Sequence, residues 1–215
     1  MIKFFRLALL MMTMTVPAFA QKPQLWQTMQ QSLFDWNSVK FSFLQQYRFE
    51  MSDFKTVDAR FGILAKKSLD ETWDAEIHYM WINSRAPAET LFQHRHRLEL
   101  ELNPRFKICE NIEFKFRNRY ELIKEEREAK LIQKFRQRQE IAYKPGIKWL
   151  KSVALSNEIF YNITINKVDE YRLIPLDLAF PLQKDHRYKL YTMIRWRDSP
   201  TGWHPQFILG STLDW

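Results

Sequence analysis

The sequence predicts an all-β protein: a closed, antiparallel, up-and-down transmembrane β-barrel of ten strands. Three observations lead there. Apolar and ionic residues alternate with period two along nearly the whole chain after residue 38. The chain opens with an export leader. It ends on an aromatic residue, Trp215, with the hydrophobe Leu213 two places before it.

Residues 1–20 have the three parts of a secretory signal peptide in the required order. Lys3 and Arg6 give a basic start, residues 7–16 an apolar core, and Ala18-Phe19-Ala20 a small-residue cleavage site. A short buried helix, the competing reading, needs no such order. Cleavage after Ala20 leaves a chain that begins at Gln21. The leader implies passage through the inner membrane by the secretion translocon. It also delivers Cys109, the single cysteine, to an oxidising compartment without a partner.

The mature chain then reads as strands long enough to cross a bilayer at a tilt. Val39, Phe41, Phe43, Tyr47 and Phe49 share one face, against Lys40, Ser42, Gln46, Arg48 and Glu50. Phe61, Ile63 and Ala65 follow, then Trp73, Ala75, Ile77, Tyr79 and Trp81 against Asp74, Glu76 and His78. In the middle, Leu98, Leu100 and Leu102 alternate with Arg95, Arg97, Glu99 and Glu101. Phe114, Phe116, Tyr120 and Leu122 alternate with Glu113, Lys115, Arg117, Arg119 and Glu121. Phe135, Ile141 and Tyr143 face away from Lys134, Arg136, Arg138 and Glu140. Val153, Leu155, Ile159 and Tyr161 oppose Glu158; Tyr171 and Leu173 flank Arg172; Ile194 and Trp196 flank Arg195.

A half-buried soluble sheet also alternates. Here, however, the polar face is densely ionic and the apolar face is rich in aromatics near strand ends, as a lipid-facing wall with interfacial girdles would be. Only a closed barrel satisfies every backbone group in lipid. One window resists. Residues 121–142 are rich in helix formers, and their hydrophobes also fit helical spacing. The strand reading puts residues 124–130 in a charged external loop and resumes near Leu131.

Residues 21–37 are expected as a lead-in, with the barrel over residues 38–215. Leu25, Met29 and Leu33 allow a helix. If the piece is instead a strand turning at Asp35-Trp36-Asn37, twelve strands are the next even number. At the other end Gly210, Leu213 and Trp215 resemble the C-terminal assembly signal of bacterial outer-membrane proteins, read by the barrel-assembly machinery. Ile208 stands where that signal usually has a polar residue.

Composition removes several function classes. One Cys excludes a disulfide framework and CxxC sites, and four Gly without GxGxxG or GxxxxGK[ST] argue against nucleotide loops. The net charge of +8 suits nucleic acid, but the leader and the separation of charges from aromatics onto opposite faces argue against it. His94 and His96, at i and i+2, lack an evident third ligand and read as interfacial histidines, so no metal is expected. No Ser-His-Asp order or G-x-S-x-G stands out, so no catalytic residue and no cofactor are expected; an outer-membrane hydrolase is the minor alternative.

The main chemical feature is the ionic face. In a closed barrel it becomes the lumen, where Arg95, Arg97, Glu99, Glu101, Glu113, Lys115, Arg117, Arg119, Glu121, Lys134, Arg136, Arg138, Glu140, Glu158, Arg172 and Arg195 form a charge network. Glu99 and Glu101 are expected beside Lys115 and Arg117, and Glu121 beside Lys134 and Arg136. Ten strands enclose a space that side chains can largely fill, which favours a plug over a pore.

Arg95-Arg97-Glu99, the run Phe116-Arg117-Asn118-Arg119-Tyr120-Glu121, Phe135-Arg136-Gln137-Arg138 and Asn157-Glu158-Ile159-Phe160 occur in that order. This series resembles the domain-of-unknown-function 2490 family, small outer-membrane β-barrels of Gram-negative bacteria. The resemblance implies a barrel among outer-membrane lipids and no known activity. The expected role is therefore structural or at the cell surface. The alternatives are a narrow, porin-like channel for small anions and a soluble periplasmic ligand-binding barrel.

Overall fold

The computed structural model describes residues 21–85, 91–126, 128–183 and 186–215; the leader, with the expected cleavage residues Ala18 and Ala20, lies outside them. The described chain is a single closed sheet. Its strands are β1 Gln24–Trp36, β2 Val39–Glu50, β3 Thr56–Ser68, β4 Trp73–Ser84, β5 Gln93–Cys109, β6 Ile112–Glu125, β7 Leu131–Tyr143, β8 Ser152–Asn162, β9 Lys167–Pro181, β10 Arg187–Ser199 and β11 Gly202–Asp214. Each pairs with the next, and β1 returns to β11.

Eleven strands correct the expectation of ten, and also the alternative of twelve. The ten that the alternation marks are β2 to β11. The extra one is β1, formed by the residues expected as a lead-in. An odd count has a geometric consequence. The first and last strands of an up-and-down barrel then run the same way, so the seam is parallel: Gln24 to Gln30 lie beside Ile208 to Asp214. Bacterial barrels of even count close antiparallel, which is why parity suggested ten or twelve.

Local chemistry explains how β1 joins. Asn37 and Ser38 take φ of 47° and 64°, the two left-handed residues that a tight two-residue hairpin requires. That turn fixes twelve paired positions between β1 and β2, from Trp36↔Val39 to Gln24↔Glu50, with one bulge at Ser32/Phe34. The start of the described chain is also tied down. The Gln206 side-chain amide donates to the Lys22 carbonyl at 2.6 Å, Met51 N–H donates to the Pro23 carbonyl, and Lys22 reaches Glu50 at 2.9 Å. The Glu50 hydrogen bond and charge raise the Lys22 ammonium above its ordinary pKa. These contacts mark the amino end of the barrel; the Asn37–Ser38 turn and Trp215 mark the carboxyl end.

The helix-compatible window is resolved as a hairpin. β6 continues to Glu125, and β7 resumes at Leu131, with Lys124 Nζ donating to the carbonyls of Glu128 and Ala129 across the turn. Helix propensity, worth tenths of a kcal/mol per residue, yields here to two complete ladders of cross-strand pairing.

The pleat sorts the two faces. Along β5, Leu98, Leu100 and Leu102 are 37%, 43% and 42% exposed, whereas Glu99 and Glu101 between them are 0% and 6%. Hydrophobes outside and carboxylates inside reverse a soluble sheet. The small apolar cluster also lies inside: Trp26, Ile174, Met193 and Ile208, with Tyr191 against it. Ile208 therefore departs from the polar residue of the assembly pattern because it fills this cluster. Gly210 faces the Tyr191 ring so closely that an added Cβ would collide with it. Leu213 has the opposite pleat parity, opposite Tyr188 of β10 and Met29 of β1.

Trp215 completes the seam. Its N–H donates to the Gln30 carbonyl at 3.0 Å, and its carbonyl accepts from Ser32 N–H at 2.7 Å. Deleting Trp215 removes both bonds where the sheet closes. The expected result is a reduced yield of assembled barrel, read as loss of the heat-modifiable band on unboiled gels. A normal yield of that band would contradict this role.

Candidate functional site

The site is the barrel interior, and its side chains come from the inward positions of all eleven strands. At the centre is a compact ionic tier. Glu99 lies 2.6 Å from Arg97, 2.9 Å from Arg119 and 3.0 Å from His78. Glu121 meets Arg136 at 2.5 Å and lies 3.7 to 3.8 Å from Arg119 and Arg97. Glu158 lies 2.7 Å from Arg117, 3.0 Å from Arg136 and 3.4 Å from Arg172. Glu101 pairs with Arg119.

Neutralisation here runs diagonally. Directly opposite positions often repel: Glu99 faces Glu121, Arg117 faces Arg138, Arg119 faces Arg136 and Arg172 faces Arg195. Like charges placed so destabilise a ladder. Each is relieved by a carboxylate or cation one row away, where long side chains still reach.

This corrects the expected partners of Glu99 and Glu101, while Glu121 does lie beside Lys134 and Arg136. Glu101 stands opposite Arg119, and Lys115 opposite Arg105, so Glu99 and Glu101 do not meet Lys115 and Arg117. Lys134 is opposite Glu121 in register but reaches Asp169 at 2.6 Å, leaving Glu121 to Arg136. The other predicted members sit towards the two mouths. Arg95 meets Glu125 at 3.2 Å. Glu113 and Glu140 share Lys115 at 3.4 and 3.2 Å, and Glu140 also takes Arg138 at 2.8 Å. Arg195 finds the Gln206 amide oxygen instead of a carboxylate.

The sequence reading missed the organising aromatic. Trp26, 2% exposed, points inward from β1, and three guanidiniums surround it: Arg48 at 3.6 Å from the ring centroid, Arg172 and Arg195 at 5.3 Å. Phe160 does the same for Arg136 and Arg172, at 4.2 and 4.3 Å. Ring faces carry negative potential, so they hold cations in a crowded interior without adding a full charge. Also missed were Asp58, which pairs with Arg60 at 2.6 Å, and Glu170, which pairs with Arg172 and with Arg197 at 3.0 Å. Alternation marks Asp58 and Arg60 as one face, but Trp26 had no such signal.

Two adjoining cavities of about 360 Å³ each lie in the lumen. One is roofed by Trp26, Arg48, Arg60, Arg97, Arg136 and Arg172. The second lies at the carboxyl end among Lys66, Asp74, Arg105, Lys115, Glu140 and Arg187. Exposure grades between them: Lys66, Lys115 and Arg187 side chains are about 40% exposed, against 6% for Arg136 and 2% for Glu158. The interior is thus open towards the carboxyl end and packed at mid-height.

Glu76, His78 and Glu101 bring three ligating atoms within 4.8 Å of one another. Their charges are already met by cations. Lys66 lies 2.9 Å from Glu76, and Arg119 holds Glu101. His78 Nε2 is 3.0 Å from Glu76 and Nδ1 is 3.0 Å from Glu99, an arrangement suited to a ring that donates from both nitrogens. The histidines weighed as ligands from sequence, His94 and His96, are elsewhere. They stack on Trp81 and Tyr79 on the outer wall.

A family model described as "Protein of unknown function (DUF2490)" matches residues 23–206. The chain belongs to this family. The match begins just before β1 and ends within β11, so it spans the seam strand that the alternation left out. The family description assigns no activity, and none passes to the DUF2490 interior described above. Neither the comparison with curated proteins nor that with solved structures finds a match.

Proposed function

We propose that this chain is a bacterial outer-membrane β-barrel with a structural or surface role, its lumen filled by Arg/Lys–Glu pairs that do not form a conducting pore. The observation that carries this reading is the reversed wall. Large hydrophobes such as Ile63, Ile77, Tyr79, Leu100, Ile141 and Leu155 are exposed at 43% or more around the barrel. Continuous apolar area of this kind is unstable in water and stable against lipid tails. Aromatic contacts also gather in two bands. Tyr47, Phe61, Trp81 and His94 contact one another in series towards the amino end. Towards the carboxyl end, Phe106, Phe114 and Phe116 meet edge to face, and Trp149, Phe180 and Tyr188 form a second group. Two girdles flanking an apolar belt fit the two interfaces of a bilayer.

The ionic tier argues against conduction. A path through the lumen would have to pass Arg97, Glu99, Glu121, Arg136 and Glu158, whose side chains are all under 10% exposed. A soluble periplasmic barrel would need the exposed wall covered.

Cys109 supplies a test of place and orientation together. It is exposed at the end of β5, beside the turn at the carboxyl end. We place the carboxyl end of the barrel, with Trp215, on the periplasmic side, so this turn faces the periplasm. A bulky membrane-impermeant maleimide should leave Cys109 unmodified in intact cells and label it once the outer membrane is permeabilised, with the protein recovered in the membrane fraction. Recovery in the soluble periplasmic fraction would overturn the membrane reading; labelling in intact cells would overturn the orientation.

A further inference from the structure

We propose that the carboxyl-end cavity is a blind binding pocket for a small, multiply charged oxyanion bearing phosphate or carboxylate groups. The inference rests on the outer-membrane reading only for which compartment the pocket faces. The two cavities share six lining residues: Arg117, Arg138, Arg187, Lys189, Asn103 and Glu76. Four are cations and one is a carboxylate.

The neighbouring acids do not saturate these cations. Arg117 is drawn to Glu158, but Glu158 is shared with Arg136 and Arg172. Arg138 uses one terminal nitrogen on Glu140 at 2.8 Å. Among the described residues, the Nε atoms of Arg117 and Arg138 are buried without a hydrogen-bond partner. Arg187 pairs with Asp214. Lys189 has Asp177 at 3.9 Å, beyond hydrogen-bond reach, and Asp177 is also the more distant partner of Arg138 at 3.7 Å. Further out, Lys66, Arg105 and Lys115 face Asp74, Glu76 and Glu140 across the mouth.

Positive charge lining a cleft with low-dielectric walls attracts anions, and planar guanidinium forks match phosphate and carboxylate oxygens. The volume suits a compact ligand. Packing at mid-height makes the pocket blind, so the anion enters and leaves at one end. This separates a binding site from a channel.

Folded full-length mature protein, in detergent or in buffer according to the fraction it comes from, can be titrated by calorimetry with inorganic pyrophosphate, with citrate and with glucose. The expected result is saturable binding of pyrophosphate or citrate, weakened by added salt, with none of glucose; the stronger of the two anions identifies the oxyanion chemistry. Lys189→Gln should weaken binding at least tenfold. Arg197→Gln, at the opposite mouth, should leave it unchanged. Either variant that fails to fold is recognised by loss of heat-modifiable migration, and Arg187→Gln then serves as the second pocket variant. Absence of binding to the folded barrel, or equal affinity in Lys189→Gln, would overturn the pocket. Steady anion current in planar bilayers would overturn its blindness. None of these outcomes depends on fractionation, so failure of the pocket and failure of the membrane reading remain distinguishable.

Discussion

Glu158→Ala is expected to cost about 3–5 kcal/mol of barrel stability, the range for removing one partner of a buried charge network. Glu158 is 1% exposed and lies within 3.4 Å of three guanidiniums, those of Arg117, Arg136 and Arg172. Removing it leaves three cations facing one another. Arg136 retains Glu121, and Arg172 retains Glu170, but Arg117 keeps no close carboxylate among the described residues. Glu158→Gln, which keeps the volume and an acceptor oxygen, should cost less than Glu158→Ala. The temperature at which the folded band converts to the unfolded one on gels measures both. An unchanged conversion temperature for the alanine variant would show that the interior is hydrated enough to screen these charges.

Trp26→Ala should destabilise the barrel by a similar amount, about 3–5 kcal/mol, for a different reason. The indole is 2% exposed, packs on Ile174, Met193 and Ile208, and carries Arg48 over its face at 3.6 Å. Truncation leaves a cavity and strips three guanidiniums of their aromatic partner. It also loosens β1 at the parallel seam, since Trp26 stands opposite Gly210 of β11 and Arg48 of β2. Proteolysis should therefore release the N-terminal strand before the rest of the barrel. Trp26→Phe should recover part of the stability. A Trp26→Ala barrel with normal thermal conversion and an intact N-terminus would refute this account.

How far each result could be foreseen follows from the period of the sequence. Alternation is a local property, and a pleat converts it directly into two faces. Leu98 to Leu102 and the acids between them needed no partner to be sorted, nor did the basic residues of β6 and β7. Nine of the residues expected in the interior network, Glu99, Glu121 and Glu158 among them, are buried. The hairpin at residues 121–142 was less clear because helix formers and strand alternation coexist there, and only pairing with β5 and β8 decides between them.

Three features belonged to tertiary structure alone. The partner of each charge depends on register and on the tilt between strands, so Glu121 stands opposite Lys134 yet meets Arg136. The seam depends on the two ends of the chain meeting, an event that no local pattern encodes. β1 itself was hidden because its inward side is Gln24, Trp26, Thr28 and Gln30, uncharged residues that give no ionic alternation, while Leu25, Met29 and Leu33 fit a helix equally well. Only when β2 and β11 flank it do its backbone groups gain partners on both sides, and that two-sided pairing makes the strand, the odd count and the inward Trp26 a single structural outcome.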